Sequence, residues 1–417
     1  MRGHIHKREH KRRDGRKTTL YYAVVFRGVD PADGKKRYDW GRGFKTKREA
    51  ETALVERLAA LGASTYVAPA STTVEHFLRT LWLPSIRGQV KTTTANGYEW
   101  VIERYLVPML GPRRLQDLTT MDLNGLYARL QAGDVPQQAR HPGRRNKPLS
   151  AKTIRNVHGV LRKALGDAVD CGLVSRNVAE SAKAPKPAAP QMAAWSASQL
   201  AEFLNATRKD RLHLVWHVAS TTGMRRGETL GLRWSDVDLD AHRLSVRRTL
   251  VCSKGQVVED TPKSHESRTV DLDPHTVALL RRHRKCQHEE RLAFGQGYMA
   301  SDDVFTREDG TYHHPDVVSS AFARAVKATG LPRIRLHDLR HTHATILLKE
   351  GVPVKVVSER LGHADPAFTM KTYQHVLPGM QADAAVLFAN LVKTAQDQGS
   401  ASGPADASSP ATGTARP

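Results

Sequence analysis

Leu336-His337-Asp338-Leu339-Arg340-His341 is followed by Leu361-Gly362-His363 and then by Tyr373, and this C-terminal stretch decides how the rest of the chain is read. Its surroundings have the pattern of packed helix, so polar groups there need a reason. His337, Arg340 and His341 fall at i, i+3 and i+4 and share one helix face. Pro353 opens a helix that Gly362 closes, His363 follows in a turn, and Asp365-Pro366 starts a helix holding Tyr373. Arginine binds phosphate as a planar fork, histidine exchanges protons near neutral pH, and tyrosine offers a hydroxyl nucleophile. Singly, His363 is an ordinary turn residue and Tyr373 an ordinary half-buried aromatic. Together they describe a site for breaking and remaking a phosphodiester. A zinc reading of His337 and His341 lacks the glutamate of an HExxH helix.

Two upstream patterns extend the set. Thr222-Gly223-Met224-Arg225-Arg226-Gly227-Glu228 places an arginine after a glycine break with a carboxylate three residues on. An arginine so placed can be a phosphate donor held by its own acid, here Glu228, although a surface i,i+3 ion pair is the commoner meaning of such a spacing. The strand-like run Leu244–Val251 leads through Lys254-Gly255 and Val257-Val258 to Thr261-Pro262-Lys263-Ser264, a hairpin tip. A lysine there is usually only solubilising, but a mobile one can reach into a site as a proton donor.

Composition supplies the partner. The 417 residues carry 64 Lys+Arg against 42 Asp+Glu, a formal charge of +22, and the sequence pI is about 10.1. Such a charge speaks of association with polyanions. No apolar run approaches the ~20 residues a spanning helix needs, and mean hydropathy is −0.49. Residues Met1 to Lys17 are basic without an apolar stretch, which excludes a signal peptide. Three scattered cysteines, Cys171, Cys252 and Cys286, suit neither a disulfide framework nor a zinc site. A reduced, cytoplasmic, nucleoid-associated protein without a membrane partner is expected.

Along the chain, residues 1–65 hold 17 Lys+Arg and 8 acids. Two strands are expected there, around Thr19–Phe26 and Arg37–Trp40, then a helix opened by a Thr46/Glu49 capping box and stopped by Gly62. Arg37 and Lys45 are candidate DNA contacts of this unit; a solvated basic face is the alternative. Residues 71–184 have the pattern of helices alone, with a Thr72/Glu75 capping box and apolar stripes at Tyr98-Ile102-Tyr105-Leu106 and Ile154-Val157-Leu161-Leu165-Ala168. The loop between them carries Arg144 and Arg145, which either contact a DNA backbone or are simply solvated. Residues 185–190 have linker composition, 191–390 form a third domain, and 396–417 have the composition of a disordered tail. The fold class is therefore multidomain and mainly α with small β elements.

The order Arg225, Lys263, His337-x-x-Arg340, His363, Tyr373, with the words Thr-Gly-Met-Arg-Arg-Gly-Glu, His-Asp-Leu-Arg-His-Thr, Leu-Gly-His and Thr-Tyr-Gln-His, resembles the tyrosine recombinases, the phage integrase family. The resemblance covers nearly the whole chain and implies an arm-type DNA-binding domain, a helical core-binding domain and an α+β catalytic domain. It implies that Tyr373 attacks a scissile phosphate to leave a 3′-phosphotyrosyl bond. Arg225 and Arg340 would clamp the non-bridging oxygens, with His363 adding a hydrogen bond. Lys263 would protonate the departing 5′ oxygen, and His337 would accept the proton of Tyr373. It further implies no metal or other cofactor, double-stranded attachment sites as substrate, a tetramer on DNA, and DNA-bending or directionality proteins as accessories.

The expected function is integration and excision of a prophage or other mobile element. A type IB topoisomerase-like nicking-closing enzyme and a chromosome or plasmid dimer resolvase share the chemistry. A non-catalytic DNA-binding regulator shares only the fold, and the complete set of six residues argues against it.

Overall fold

The structure is a computed structural model that describes residues 3–11, 17–31, 33–62, 67–68, 70–136, 147–188, 192–253, 255–261, 267–373 and 380–400. Lys263, Arg144 and Arg145 lie outside the described residues. The chain divides into two compact units, Met1–Pro190 and Gln191–Pro417.

The first unit opens with an antiparallel sheet of order β1-β2-β3, formed by Gly3–Lys11, Lys17–Val29 and Lys36–Phe44. Strand β1 was not expected, because its sequence GHIHKREHK is polar almost throughout. It forms because it pairs in unbroken register with β2, from Gly3 opposite Val25 to Lys11 opposite Lys17. Helix α1 (Lys47–Gly62) covers one face of the sheet, where Ala23, Val25 and Ala50 are buried. Thr46 and Glu49 cap it reciprocally, Thr46 Oγ1 accepting from Glu49 N at 3.3 Å and Glu49 Oε2 from Thr46 N at 3.2 Å. Tyr38 and Trp40 stay exposed, with His4 and His6 edge-on to them respectively. Arg37 bonds Asp30 at 2.9 Å and Asp33 at 3.0 Å near the β2–β3 turn, and Lys45 is exposed between β3 and α1.

Helices then follow: α2 (74–86), α3 (92–110), α4 (Thr120–Ala132) and α5 (Ala151–Asp170). Thr73 rather than Thr72 caps α2, its hydroxyl accepting from His76 N at 3.2 Å. Thr72 is one residue too early, and its carbonyl accepts from Leu115 N instead. The stripe Ile154, Val157, Leu161, Leu165, Ala168 is wholly buried on α5. Burying such a stripe contributes about 1.5–3 kcal/mol per large side chain. Trp82 Nε1 donates to Asp167 at 2.7 Å, tying α2 to α5.

The second unit begins with α6 (Ala197–Ala206), capped by a Ser196/Gln199 box, and α7 (His213–Thr222). A short helix α8 (Arg226–Leu230) leads into small sheets. Strands β4 (Val237–Asp238), β5 (Arg243–Val246) and β8 (Arg268–Asp271) form one sheet; β6 (Thr249–Ser253) and β7 (Gln256–Asp260) form another. The sequence suggests one strand from Leu244 to Val251, but the chain changes sheets at Arg247-Arg248. Those guanidinium groups lie 3.6 and 3.3 Å from the buried Asp236 carboxylate. Helices α9 (Pro274–Phe294), α10 (Pro315–Thr329), α11 (Asp338–Lys349), α12 (Val354–Leu361), α13 (Pro366–Tyr373) and α14 (Met380–Ser400) complete the unit. Trp195, Phe203, Trp216 and Phe322 stack against one another in its core.

Helix α14 runs to Ser400, five residues into the segment whose composition suggested disorder from Gln396; Ala395-Gln396 are good helix formers and continue the preceding turns. Residues 401–417 lie outside the described residues. No described helix is long and apolar enough to cross a membrane.

A candidate active site of clustered arginines

The site is assembled where α7 ends, α8 begins, and α11, α12 and α13 converge. Helix α7 stops on Gly223, at φ 68°. A Cβ there would come within 2.8 Å of both His343 and Leu361 side chains, so only glycine lets the turn sit this close to α11 and α12. The turn carbonyl of Gly223 accepts a 2.8 Å hydrogen bond from Arg340 Nη1. That bond fixes a guanidinium only 3% exposed. Its other nitrogen, Nη2, is buried with no partner among the described residues. A buried donor of this kind demands an explanation, and an anion supplied from outside the chain is the simplest.

Arg225 precedes α8, and Glu228 in its first turn takes Arg225 Nη1 at 2.7 Å and Arg225 N at 3.0 Å. Glu228 is 1% exposed, so the pair is not the surface ion pair its spacing most often means. The same carboxylate also accepts from Arg268 Nη2 at 2.6 Å. Arg268 is placed in turn by Arg360 O, 3.0 Å from its Nε. Burial alone would raise the Glu228 carboxyl, but Arg268 and then Arg225 pull it down to about 2. Burial, then the charges of Arg225 and Arg268, bring Arg340 down to about 9, where it is still cationic at neutral pH. Three guanidinium groups around one carboxylate leave two positive charges in a poorly solvated place. That excess matches a phosphodiester gaining negative charge as it becomes pentavalent.

The proton-exchanging groups surround this cluster. His363, just past the αL turn at Gly362, hydrogen-bonds Thr369 Oγ1 through Nδ1 at 2.7 Å. Burial, with Arg340, Arg225 and Arg268, holds it down to about 4. His337 is also held to about 4 by burial, His341 and Arg340. Both are neutral at pH 7 and free to donate or accept. Tyr373 is 1% exposed, and burial pushes its hydroxyl up to about 12 against the opposing charge of Arg340. Its Oη lies 2.8 Å from His341 Nδ1. The imidazole in contact with the hydroxyl is thus His341, one turn along α11 from His337, whose ring stands edge-on to it at 5.3 Å.

The structure therefore brings Arg225, Glu228, Arg340, His337, His363 and Tyr373 into one electrostatically coupled group. Arg268 joins it without having been singled out from sequence, and His341, placed by spacing on the face of His337 and Arg340, joins it with no role assigned there. Arg268 was legible only as part of a strand. His341 carried a signal in its i+4 spacing from His337. Among the described residues one other trio could offer metal ligands, Cys252, His314 and Asp316, whose ligand atoms lie within 4.8 Å of one another. Asp316 there already pairs with Arg226 at 3.0 Å.

Residues 192–379 match the Phage integrase family, residues 10–61 an Arm DNA-binding domain, and residues 75–131 a Phage integrase N-terminal SAM-like domain. A protein named tyrosine recombinase XerC-like from Caldanaerobacter subterraneus is 29% identical over 360 residues, covering 82% of this chain and 88% of that protein. An integrase of Streptomyces ambofaciens is 29% identical over 386 residues, covering 89% and 93%. Among solved structures, the Tn1549 transposon integrase in complex with a circular intermediate DNA superposes with a TM-score of 0.61 at 20% identity, over 76% of this chain and all of that one. A lambda integrase tetramer bound to a Holliday junction superposes with a TM-score of 0.52 at 18% identity, covering 86% and 96%. At these identities the superpositions speak for the fold.

Proposed function

The chain belongs to the phage integrase family and is a tyrosine-type site-specific recombinase; from that premise we propose that it integrates and excises a mobile element, using Tyr373 as nucleophile. The observation that carries this reading is the buried carboxylate of Glu228 holding Arg225 and Arg268, with the buried Arg340 in electrostatic reach of both Glu228 and Tyr373. Arg225 and Arg340 bind the non-bridging oxygens of the scissile phosphate and stabilise the charge that develops there. His363 adds a hydrogen bond to the same phosphate, and the His337 ring stands edge-on to His341 beside it. The phenol oxygen attacks phosphorus, the bond to the 5′ oxygen breaks, and Lys263 protonates the leaving oxygen. Attack of a 5′-hydroxyl from the second duplex on the phosphotyrosyl bond rejoins the strands and frees Tyr373. The phosphotyrosyl bond conserves the energy for rejoining.

The Arm DNA-binding match at residues 10–61 favours an element integrase over a nicking-closing enzyme, because relaxation of one duplex needs no second DNA contact. It also makes room for a DNA-bending accessory protein that brings arm and core sites together. Exchange between two duplexes calls for four protomers. Helix α14, with Val386, Leu387, Phe388, Leu391 and Val392 exposed along it, is the segment suited to dock on a neighbouring copy. We place the protein in the cytoplasm, with the chromosome. The deciding experiment uses a nicked duplex bearing the core repeat found at the ends of the element that carries this gene. The wild-type chain should form a covalent adduct, and Tyr373→Phe should bind the duplex and form none. Adducts from that variant would remove Tyr373 as the nucleophile.

A further inference from the structure

We infer that His341 is the group that takes the proton from Tyr373 as it attacks, a role the motif order assigns to His337. The inference rests on Tyr373 being the nucleophile and adds the identity of its base.

Two geometric facts carry it. First, His341 Nδ1 lies 2.8 Å from Tyr373 Oη, within the reach a general base needs. Second, Tyr373 is 1% exposed, so water has no comparable access to its hydroxyl. The contact crosses between helices α11 and α13 and joins residues 32 apart in sequence. It is not a local accident of one helix. The phenol needs such a partner, since burial raises it to about 12 and leaves almost no phenolate at neutral pH.

His341 is suited to accept. Burial holds its pKa below the ordinary histidine value; Asp338 opposes this, while Arg340 and Arg335 assist. The His337 ring packs edge-on against it, and it lies within electrostatic reach of His363. The imidazole is therefore neutral at pH 7. With Nδ1 unprotonated, the hydroxyl donates to it and the tautomer carries its proton on Nε2. On attack the O–H bond breaks, the proton passes to Nδ1, and the phenol oxygen forms its bond to phosphorus. The bond to the 5′ oxygen breaks, and that oxygen takes a proton from Lys263. In the rejoining step Lys263 takes back the proton of the attacking 5′-hydroxyl, and the imidazolium returns its proton to the departing tyrosine. Atoms and charge balance without any further reactant.

The proposal separates nucleophile activation from leaving-group protonation, and a chemical substitution separates them as well. A sulfur in place of the bridging 5′ oxygen leaves as a thiolate and needs no acid. Single-turnover adduct formation should be measured on the nicked core duplex and on its 5′-bridging phosphorothiolate analogue, using the full chain. His341→Ala should lose about 100-fold in rate on both. Lys263→Ala should lose on the oxygen substrate and recover on the sulfur one. His341→Gln, whose amide oxygen can accept a hydrogen bond but cannot take a proton, tests positioning alone and should lose as much as the alanine variant. Wild-type rates should fall as acid protonates His341 and level off above that range. Both variants should instead rise with each pH step as hydroxide substitutes for the missing base. Duplex binding and the unfolding midpoint of His341→Gln should stay near wild type. A glutamine variant within about threefold of wild type and with the wild-type pH profile would overturn the inference. So would recovery of His341→Ala on the sulfur substrate. Adducts formed by Tyr373→Phe would instead overturn the underlying reading.

Discussion

Glu228 Oε2 lies 2.6 Å from Arg268 Nη2, and both side chains are nearly excluded from water. A buried ion pair of this kind adds little net stability over an apolar substitute, but removing one partner strands the other at a cost of about 3–5 kcal/mol. Glu228 also orients Arg225, so one carboxylate holds both Arg225 and Arg268. Its carboxyl is depressed to about 2 from an unfolded value near 4.5. A group with a lowered folded pKa contributes stability fully above its unfolded pKa and loses it as pH falls toward the folded one. The expected contribution is about 3 kcal/mol, present at pH 7 and lost between about pH 5 and 2.

Denaturant unfolding of wild type and Glu228→Gln at a series of pH values checks this. The variant should be the less stable at neutral pH, by about 3 kcal/mol or more, and its stability should fall less between neutral and acid. Parallel pH curves for the two proteins would show that Glu228 is not the titrating group.

Gly223 carries a second structural prediction. Gly223→Ala places a methyl group 2.8 Å from the His343 and Leu361 side chains on a backbone at φ 68°. Strain and overpacking together should cost about 2–4 kcal/mol. The second unit should melt about 5–10 °C lower. Because the Gly223 carbonyl holds Arg340, adduct formation should fall even at temperatures where the variant is folded. A folded variant with wild-type cleavage would mean that the carbonyl is not what places Arg340.

Local words made part of this site legible. His337, Arg340, His363 and Tyr373 fall within 37 residues, and Arg225 lies beside the carboxylate that holds it. Spacing put His341 on the face of His337 and Arg340, but the partners of Arg268 and His341 lie 40 residues away at Glu228 and 32 away at Tyr373, contacts that spacing does not contain. Strand β1 was hidden for another reason. Its pairing is a backbone property, and only one face meets α1, where Gly3 and Leu54 touch. A polar strand with a single packed face has no hydrophobic alternation to read. The break at Arg247-Arg248 likewise follows from Asp236, a residue of the preceding turn.

The basic N-terminal unit predicts a division of labour. Deleting residues 1–65 should impair recombination between long attachment sites far more than adduct formation on a short core duplex. Equal losses on both substrates would count against an arm-binding role. Binding of the long site should also weaken steeply with salt, the slope of log K against log salt steepening by about 0.9 for every phosphate neutralised. The deletion should flatten that slope, and Arg37→Ala should flatten it by about one phosphate if Arg37 leaves Asp30 and Asp33 for DNA.

Helix α14 is the last to be tested. Leu387 and Leu391, and Phe388 and Val392, stand at i and i+4 and make an apolar stripe, with exposures of 62, 61, 70 and 40%. A stripe that large left in water favours association. Replacing Phe388 and Leu391 with serine removes its two most central anchors, each worth more than about 1 kcal/mol if buried in an interface. Tetramer formation on paired core sites should weaken by at least about tenfold, seen by light scattering of the protein–DNA complex. Cleavage of a single nicked duplex by one protomer should change little if Tyr373 acts within its own subunit. A parallel loss of that cleavage would mean that the neighbour's helix helps to place the attacking hydroxyl, and that one protomer alone is not a complete enzyme.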